Sequence, residues 1–87
     1  MRVVEIRNIC REEGSIYYLR KFKGEAVIEL PGGDFEAPVE FSIEADPLGA
    51  KKIDIIISES INYPVVPIKN ALRAYIITAD SKGKLPL

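Results

Sequence analysis

Residues 35–45 of this chain read Phe-Glu-Ala-Pro-Val-Glu-Phe-Ser-Ile-Glu-Ala. Apolar residues occupy every second position of this stretch, and polar residues or proline stand between them. Because successive side chains of a β-strand point to opposite faces, the pattern predicts a strand with one buried side and one solvent-facing side.

The residues before this strand predict its hairpin partner. Residues 25–30 also alternate, though less cleanly, and the turn sequence Pro-Gly-Gly-Asp follows at 31–34. If the two glycines form the tip of the turn, Leu30 lies opposite Phe35 and each further inward pair is apolar. A hairpin in this register is the expectation.

Three further stretches predict the rest of the sheet. Residues 2–10 are strand-like, and residues 15–30 form one long bent strand or two strands divided near Gly24. After a turn signal at residues 46–49, alternating isoleucines at 53–57 predict another strand. Together these stretches give a sheet of four or five strands.

The inward parity of the long second stretch includes one charged residue. Tyr18 and Phe22 share the parity of the core residues, and Arg20 between them is the exception on that face. Outside the core, Val27 and Ile56 are expected on the opposite face of the sheet.

After residue 64 the apolar spacing becomes that of a helix, expected from about Pro67 to Ser81 with Gly83 beyond its end. Four polar residues are placed on the side of the helix away from the core, and these are Lys69, Asn70, Arg73 and Asp80. The predicted fold is one α+β domain over residues 1–87. It consists of an antiparallel meander sheet of four to five strands with one C-terminal α-helix packed on its apolar face.

The composition excludes several classes of protein. Its 87 residues are 47% hydrophobic and 29% charged, as in an ordinary globular domain with one core. No apolar run approaches the roughly 18 to 20 residues of a membrane span, and Glu5 interrupts the place of a signal peptide's apolar stretch. A cytoplasmic location without membrane association is expected. The absence of His, Trp and Gln resembles the thermophile trend.

The charges are unevenly distributed along the chain. Residues 25–60 contain nine acids against two lysines, whereas both ends of the chain are basic. The predicted hairpin register places Glu29 opposite Glu36 and Glu25 opposite Glu40, and a turn around Pro47 adds Glu44 opposite Asp54. Like charges across a ladder are unfavourable, so an open acidic face is an unusual feature that invites a function.

The leading interpretation is a small non-enzymatic binding or adaptor module. Its acidic outer sheet face would attract an unknown protein partner that has a basic surface. The residues assigned to this contact are Glu25, Glu29, Glu36, Glu40, Glu44 and Asp54. The plainer interpretation is a solvated face on which neighbouring lysines fold over the acids and the charges deter aggregation.

The alternative interpretation is a site for Ca²⁺ or Mg²⁺, which prefer carboxylate and hydroxyl oxygens. Asp34, Glu29 and Glu36 near the hairpin supply the carboxylates, and Ser58 and Ser60 supply hydroxyls. No EF-hand spacing accompanies them.

A third interpretation is single-stranded nucleic-acid binding, in which rings stack on bases and cations follow phosphates. Its residues are Tyr17, Arg20, Lys21 and Lys23. The nearby acidic block repels phosphates and opposes this interpretation.

Catalysis is not expected, because the chain has no histidine and nominates no base for its hydroxyl groups. The single Cys10 cannot form an internal disulfide, and a zinc site is excluded; Cys10 is interpreted as a small buried apolar residue near a strand end. The expected state is a monomer or a homodimer, since Ile77 on the helix adds to the outer apolar residues Ile56 and Val27.

Overall fold

The computed structural model describes residues 1–13 and 18–86. It contains the strands β1 (Arg2–Arg11), β2 (Leu19–Leu30), β3 (Gly33–Ala45) and β4 (Lys51–Ile57), followed by the helix α1 (Val65–Ser81). The four strands form an antiparallel meander in the order β1-β2-β3-β4. The predicted α+β fold class is therefore confirmed, and the described residues form four strands.

The sheet curves around the helix. The backbone of α1 comes close to β1 and β4, whereas none of its described residues comes as close to the two central strands. Large side chains fill the space between, where the rings of Phe22 and Phe41 stack with their centroids 5.0 Å apart. The helix contributes buried residues at helical spacing, namely Ile68, Leu72, Ile76 and Ala79. We refer to the side covered by α1 as the inner face and to the opposite side as the outer face.

The second strand departs from expectation at its beginning. β2 begins at Leu19, and its predicted extension back to Ser15 falls on residues 14–17, outside the described residues. Phe22 is fully buried as predicted, but Tyr18 is 43% exposed, so its assignment to the core is wrong. Tyr18 precedes the strand, and its carbonyl oxygen accepts a hydrogen bond from Ala45 N–H at 2.9 Å.

β1 contains two irregularities in its pairing with β2. The register shifts between Val3 and Glu5 and again between Arg7 and Cys10, where Asn8 has a φ of 54°. Asparagine tolerates this left-handed conformation better than most residues, and one such residue produces a β-bulge. Cys10, at the end of the strand, is exposed, so the prediction that it is buried is wrong.

Gly24 lies next to the second bulge, and its lack of a side chain allows close packing there. A Cβ atom at this position would lie 2.9 Å from Cγ2 of Ile6, 3.2 Å from the carbonyl oxygen of Arg7 and 3.3 Å from Cγ1 of Ile9. β2 continues through Gly24, so the alternative of two separate strands divided there is wrong.

The helix begins two residues earlier than predicted and ends where expected. Val65, Val66 and Pro67 form its first turn, in which backbone N–H groups have no intrahelical partner, so proline is tolerated. At its end, Lys84 N–H donates to Ala79 O and Gly83 N–H donates to Asp80 O, the two bonds of a Schellman motif. Among the described residues, no helix has the length and apolar character that a membrane crossing requires.

Asp80 joins the helix to the sheet. Its side chain is only 10% exposed and faces the sheet, so its predicted place on the solvent side of the helix is wrong. Arg20, the charged exception on the inner face, donates from Nη1 to Oδ1 at 2.8 Å and from Nη2 to Oδ2 at 3.0 Å. Lys51 of β4 donates to Oδ2 at 2.6 Å. These bonds, that from Arg20 first, lower the pKa of Asp80 from 3.8 to about 2.

Replacement of Asp80 by asparagine is expected to lower the free energy of unfolding at pH 7 by about 1 to 2 kcal/mol. The value is below that implied by the full pKa shift because Lys51 remains partly exposed to solvent. Since the pKa of Asp80 is lower in the folded chain, its ion pairs stabilise the fold above pH 4 or so, and this contribution is lost as pH falls towards 2. Urea unfolding between pH 7 and pH 2.5 or so measures both effects.

The matched control for Asp80→Asn is Asp54→Asn, because Asp54 is an exposed acid on the outer face. The control should leave the unfolding free energy within about 0.5 kcal/mol of the parent. Equal effects of the two substitutions, or an unchanged pH profile for Asp80→Asn, would contradict the assigned role.

Replacement of Gly24 by alanine is expected to destabilise the fold by about 1 to 3 kcal/mol, because the added methyl group overlaps Ile6 and the bulged backbone of β1. Gly32→Ala is the control, since nothing lies within 4 Å of a Cβ at that position. Thermal unfolding of both variants checks the prediction, and a Gly24→Ala protein as stable as the control would refute it.

Candidate functional site

The outer face of the sheet is the candidate site because α1 covers only the inner face. Along β2 and β3 every second residue points to this outer side, as the alternation of residues 35–45 predicted. All six residues assigned to a partner contact lie on it and are exposed or half-buried, namely Glu25, Glu29, Glu36, Glu40, Glu44 and Asp54.

The predicted register of the acidic pairs is wrong by two residues. Leu30 pairs with Gly33 rather than with Phe35, because Pro31 and Gly32 alone form the turn and Gly33 already belongs to β3. A shift of two residues keeps every side chain on its predicted face but changes the residue opposite to it.

The acids consequently face different partners from those predicted. Glu29 lies opposite Asp34, Val27 opposite Glu36, Glu25 opposite Pro38, and Lys23 opposite Glu40. On the other side of β3, Glu44 lies opposite Lys52 and Ser42 opposite Asp54, because the β3–β4 turn is also tighter than expected. The three predicted acidic pairs are therefore absent, and the one acidic pair across β2 and β3 is Glu29 with Asp34.

Arginines of β1 neutralise the acids on one half of the outer face. Arg7 contacts Glu36 at 2.7 Å through Nη2 and Glu25 at 3.4 Å through Nε, and Arg2 contacts Glu29 at 3.3 Å. The carboxylate of Glu36 is the main cause of a raised pKa at Arg7. Sequence reasoning did not find Arg7, because its partners depend on the bulges that set the register of β1.

The Arg7–Glu36 pair extends across β2. Arg7 belongs to β1 and Glu36 to β3, with β2 between them. Val27 lies opposite Glu36 in register and is only 8% exposed, so the prediction that it offers an outer apolar surface is wrong. Long charged side chains that lie over an apolar residue shield it from water.

The other half of the outer face, on β3 and β4, is less completely paired. Lys23 contacts Glu40 at 3.6 Å and Glu12 at 4.0 Å. No ion pair to Asp54 occurs within the part of the chain that the structure describes. Next to Asp54, Ile56 is 60% exposed, as its predicted outer position requires. An acid and an apolar side chain thus stand side by side on this half.

A shallow depression of about 290 Å³ lies at the same place. Its lining comes from β2, β3, β4 and the residue after β1, namely Glu12, Lys21, Phe22, Glu40, Phe41, Ser42, Asp54 and Ile56. The side chains around it combine carboxylates with an exposed isoleucine, a combination that can contact both the charge and the alkyl chain of a basic residue.

The five residues predicted to bind a cation are spread along β3 and beyond. Glu29 and Asp34 are opposite each other, but Glu36 is engaged by Arg7. Ser58 N–H bonds to Pro38 O, four residues from Asp34, which is roughly 13 Å of strand. Ser60 lies further along the loop after β4. Among the described residues, no three Asp, Glu or Cys side chains are placed to hold a metal ion.

The residues predicted to bind nucleic acid do not share one surface. Lys21 and Lys23 are exposed on the outer face, whereas Arg20 turns inward to Asp80. Tyr17 lies outside the described residues. The structure therefore divides the basic segment between the two faces of the sheet.

Comparisons with known proteins assign a family to the chain. No curated protein matches it, and no solved structure matches it either. The model of one family matches residues 1–81, nearly the whole length. On this match, the chain belongs to the BB_0187 family.

Proposed function

We propose that this chain is a small non-enzymatic binding module that contacts a basic protein partner through the outer face of its sheet. The observation that carries the proposal is the exposed pair of Asp54 and Ile56 beside the depression on β3 and β4. The name of the family implies no ligand or reaction, so the support comes from this geometry.

The arrangement of charges favours the β3–β4 half as the centre of the contact. Glu25, Glu29 and Glu36 already have arginine partners on β1, and a protein partner would have to displace those arginines. Asp54 needs no such displacement, and Glu44 has only Lys52 opposite it. An incoming lysine or arginine could extend its alkyl chain over Ile56 and bring its charge to Asp54 and Glu40.

The same geometry supports binding rather than catalysis. The acid with the clearly shifted pKa, Asp80, is held ionised by Arg20 and Lys51, which disfavours proton transfer at neutral pH. We place the module in the cytoplasm, because the exposed free thiol of Cys10 is suited to a reducing compartment.

Reversal of both Glu40 and Asp54 to lysine is expected to weaken binding to basic peptides by about tenfold or more, because like charges then meet across the contact. The measurement is an amide NMR titration of labelled protein with synthetic peptides rich in lysine and arginine. With the parent chain, the largest shifts should fall on residues 21–22, 40–42 and 54–56.

The control carries Glu13→Lys and Glu59→Lys, which make the same change in net charge at exposed positions outside the strands. It should lose only the part of the affinity that depends on net charge, about two- to threefold. Equal loss in both double variants, or peptide shifts confined to the inner face, would overturn the proposal.

A divalent cation remains the alternative ligand, and a titration with Ca²⁺ and Mg²⁺ at moderate salt distinguishes it. Saturable shifts confined to Glu29, Asp34 and Glu36 would favour a cation site. Weak shifts over all carboxylates indicate screening alone, which is the expected result because these acids do not converge with Ser58 and Ser60.

A further inference from the structure

The turn between β3 and β4 presents one large apolar side chain to solvent. Leu48 is 96% exposed, more than any other large apolar residue that the structure describes. The turn around it is well ordered by hydrogen bonds, because Oδ1 of Asp46 accepts the N–H groups of Leu48 and Ala50, each at 2.9 Å. Gly49 N–H also donates to Asp46 O at 3.0 Å. Leu48 is therefore held at the tip of a preorganised turn.

An open groove of about 920 Å³ lies directly behind this tip. It is lined by Tyr18 and by the two arms of the hairpin, namely Glu44, Ala45, Asp46, Pro47, Ala50, Lys51 and Lys52, and the exposed part of this lining is mainly apolar. Leu48 does not take part in the lining, so the leucine does not fold back over the groove beside it. A single exposed leucine is common on proteins, but one beside a mainly apolar groove forms a matched pair of features.

The charges at the groove are complementary to themselves. Glu44 of β3 and Lys52 of β4 lie opposite each other in register, one on each side of the hairpin. Lys51 is engaged by Asp80 and adds little to this balance. A two-fold axis parallel to the hairpin would place β3 of one copy over β4 of the other, so that each Glu44 meets the Lys52 of the second copy.

We propose that a second copy of this chain docks on the β3–β4 hairpin, with Leu48 of each copy in the groove of the other. A basic or acidic partner of another kind would leave one of the two charges in the groove opposed, whereas the second copy satisfies both. The contact lies at the end of the sheet, away from the depression at Ile56, so the outer face stays open in the dimer.

The size of the contact sets its strength. One hairpin end buries much less than the 1,200 Å² or so of a standard stable interface, so the dimer should form only at high concentration. A dissociation constant of roughly 0.1 mM is the expectation.

The experiment is sedimentation equilibrium of the whole chain between about 20 μM and about 1 mM, with NMR diffusion as a second readout. The parent mass should rise from monomer towards dimer. Leu48→Ser should raise the dissociation constant about tenfold or more, because it removes the buried leucine. Val66→Ser is the control, since Val66 is 70% exposed at the opposite end of the helix, and it should leave the constant unchanged.

A charge swap tests the geometry of the contact. Glu44→Lys and Lys52→Glu should each weaken the dimer, and the double variant should restore it, because the pair then forms again with its signs exchanged.

Three results would overturn the proposal. They are a mass that stays monomeric over the whole range, an equal effect of Leu48→Ser and Val66→Ser, and a double charge variant no stronger than the single ones. Co-sedimentation of the monomer with vesicles of phosphatidylcholine and phosphatidylserine that depends on Leu48 would assign the leucine to a lipid surface instead.

Discussion

The docking of α1 into the curved sheet is the constraint on which the rest of the structure depends. A sheet with one apolar face must cover that face, and one helix is enough to do so when β1 and β4 bend towards it. The ion pairs of Asp80 with Arg20 and Lys51 fix the C-terminal end of the helix against β2 and β4. No described element covers the outer face, which explains its charged side chains and the exposure of Ile56.

The alternation of apolar residues was sufficient to predict the strands, their buried sides and the helix, because each of these depends only on a local period. The same alternation could not fix the register. A pairing of Leu30 with Phe35 and a pairing with Gly33 bury the same set of side chains. The difference lies in the turn, where Gly33 adopts a φ of 133° as the first residue of β3, a conformation open to glycine.

The electrostatic partners of the site were beyond the reach of sequence reasoning for the same reason. Once the register moves by two residues, Glu40 meets Lys23 instead of an acid, and the acidic surface becomes a mixed one. The pairing of Arg7 with Glu36 depends on bulges in β1 that no local pattern announces. For Asp80 one signal existed, since Arg20 stood alone among apolar residues on the inner face and needed a buried partner.

The two-residue turn of Pro31 and Gly32 also bears on the order in which the chain folds. It joins the two longest strands with almost no loop to close, and the stacked rings of Phe22 and Phe41 lie on those same strands. We infer that this hairpin nucleates folding and that α1, whose Asp80 finds Arg20 across 60 residues of chain, docks late. Folding kinetics of Phe22 and Ile76 variants would show which of the two regions is structured in the transition state.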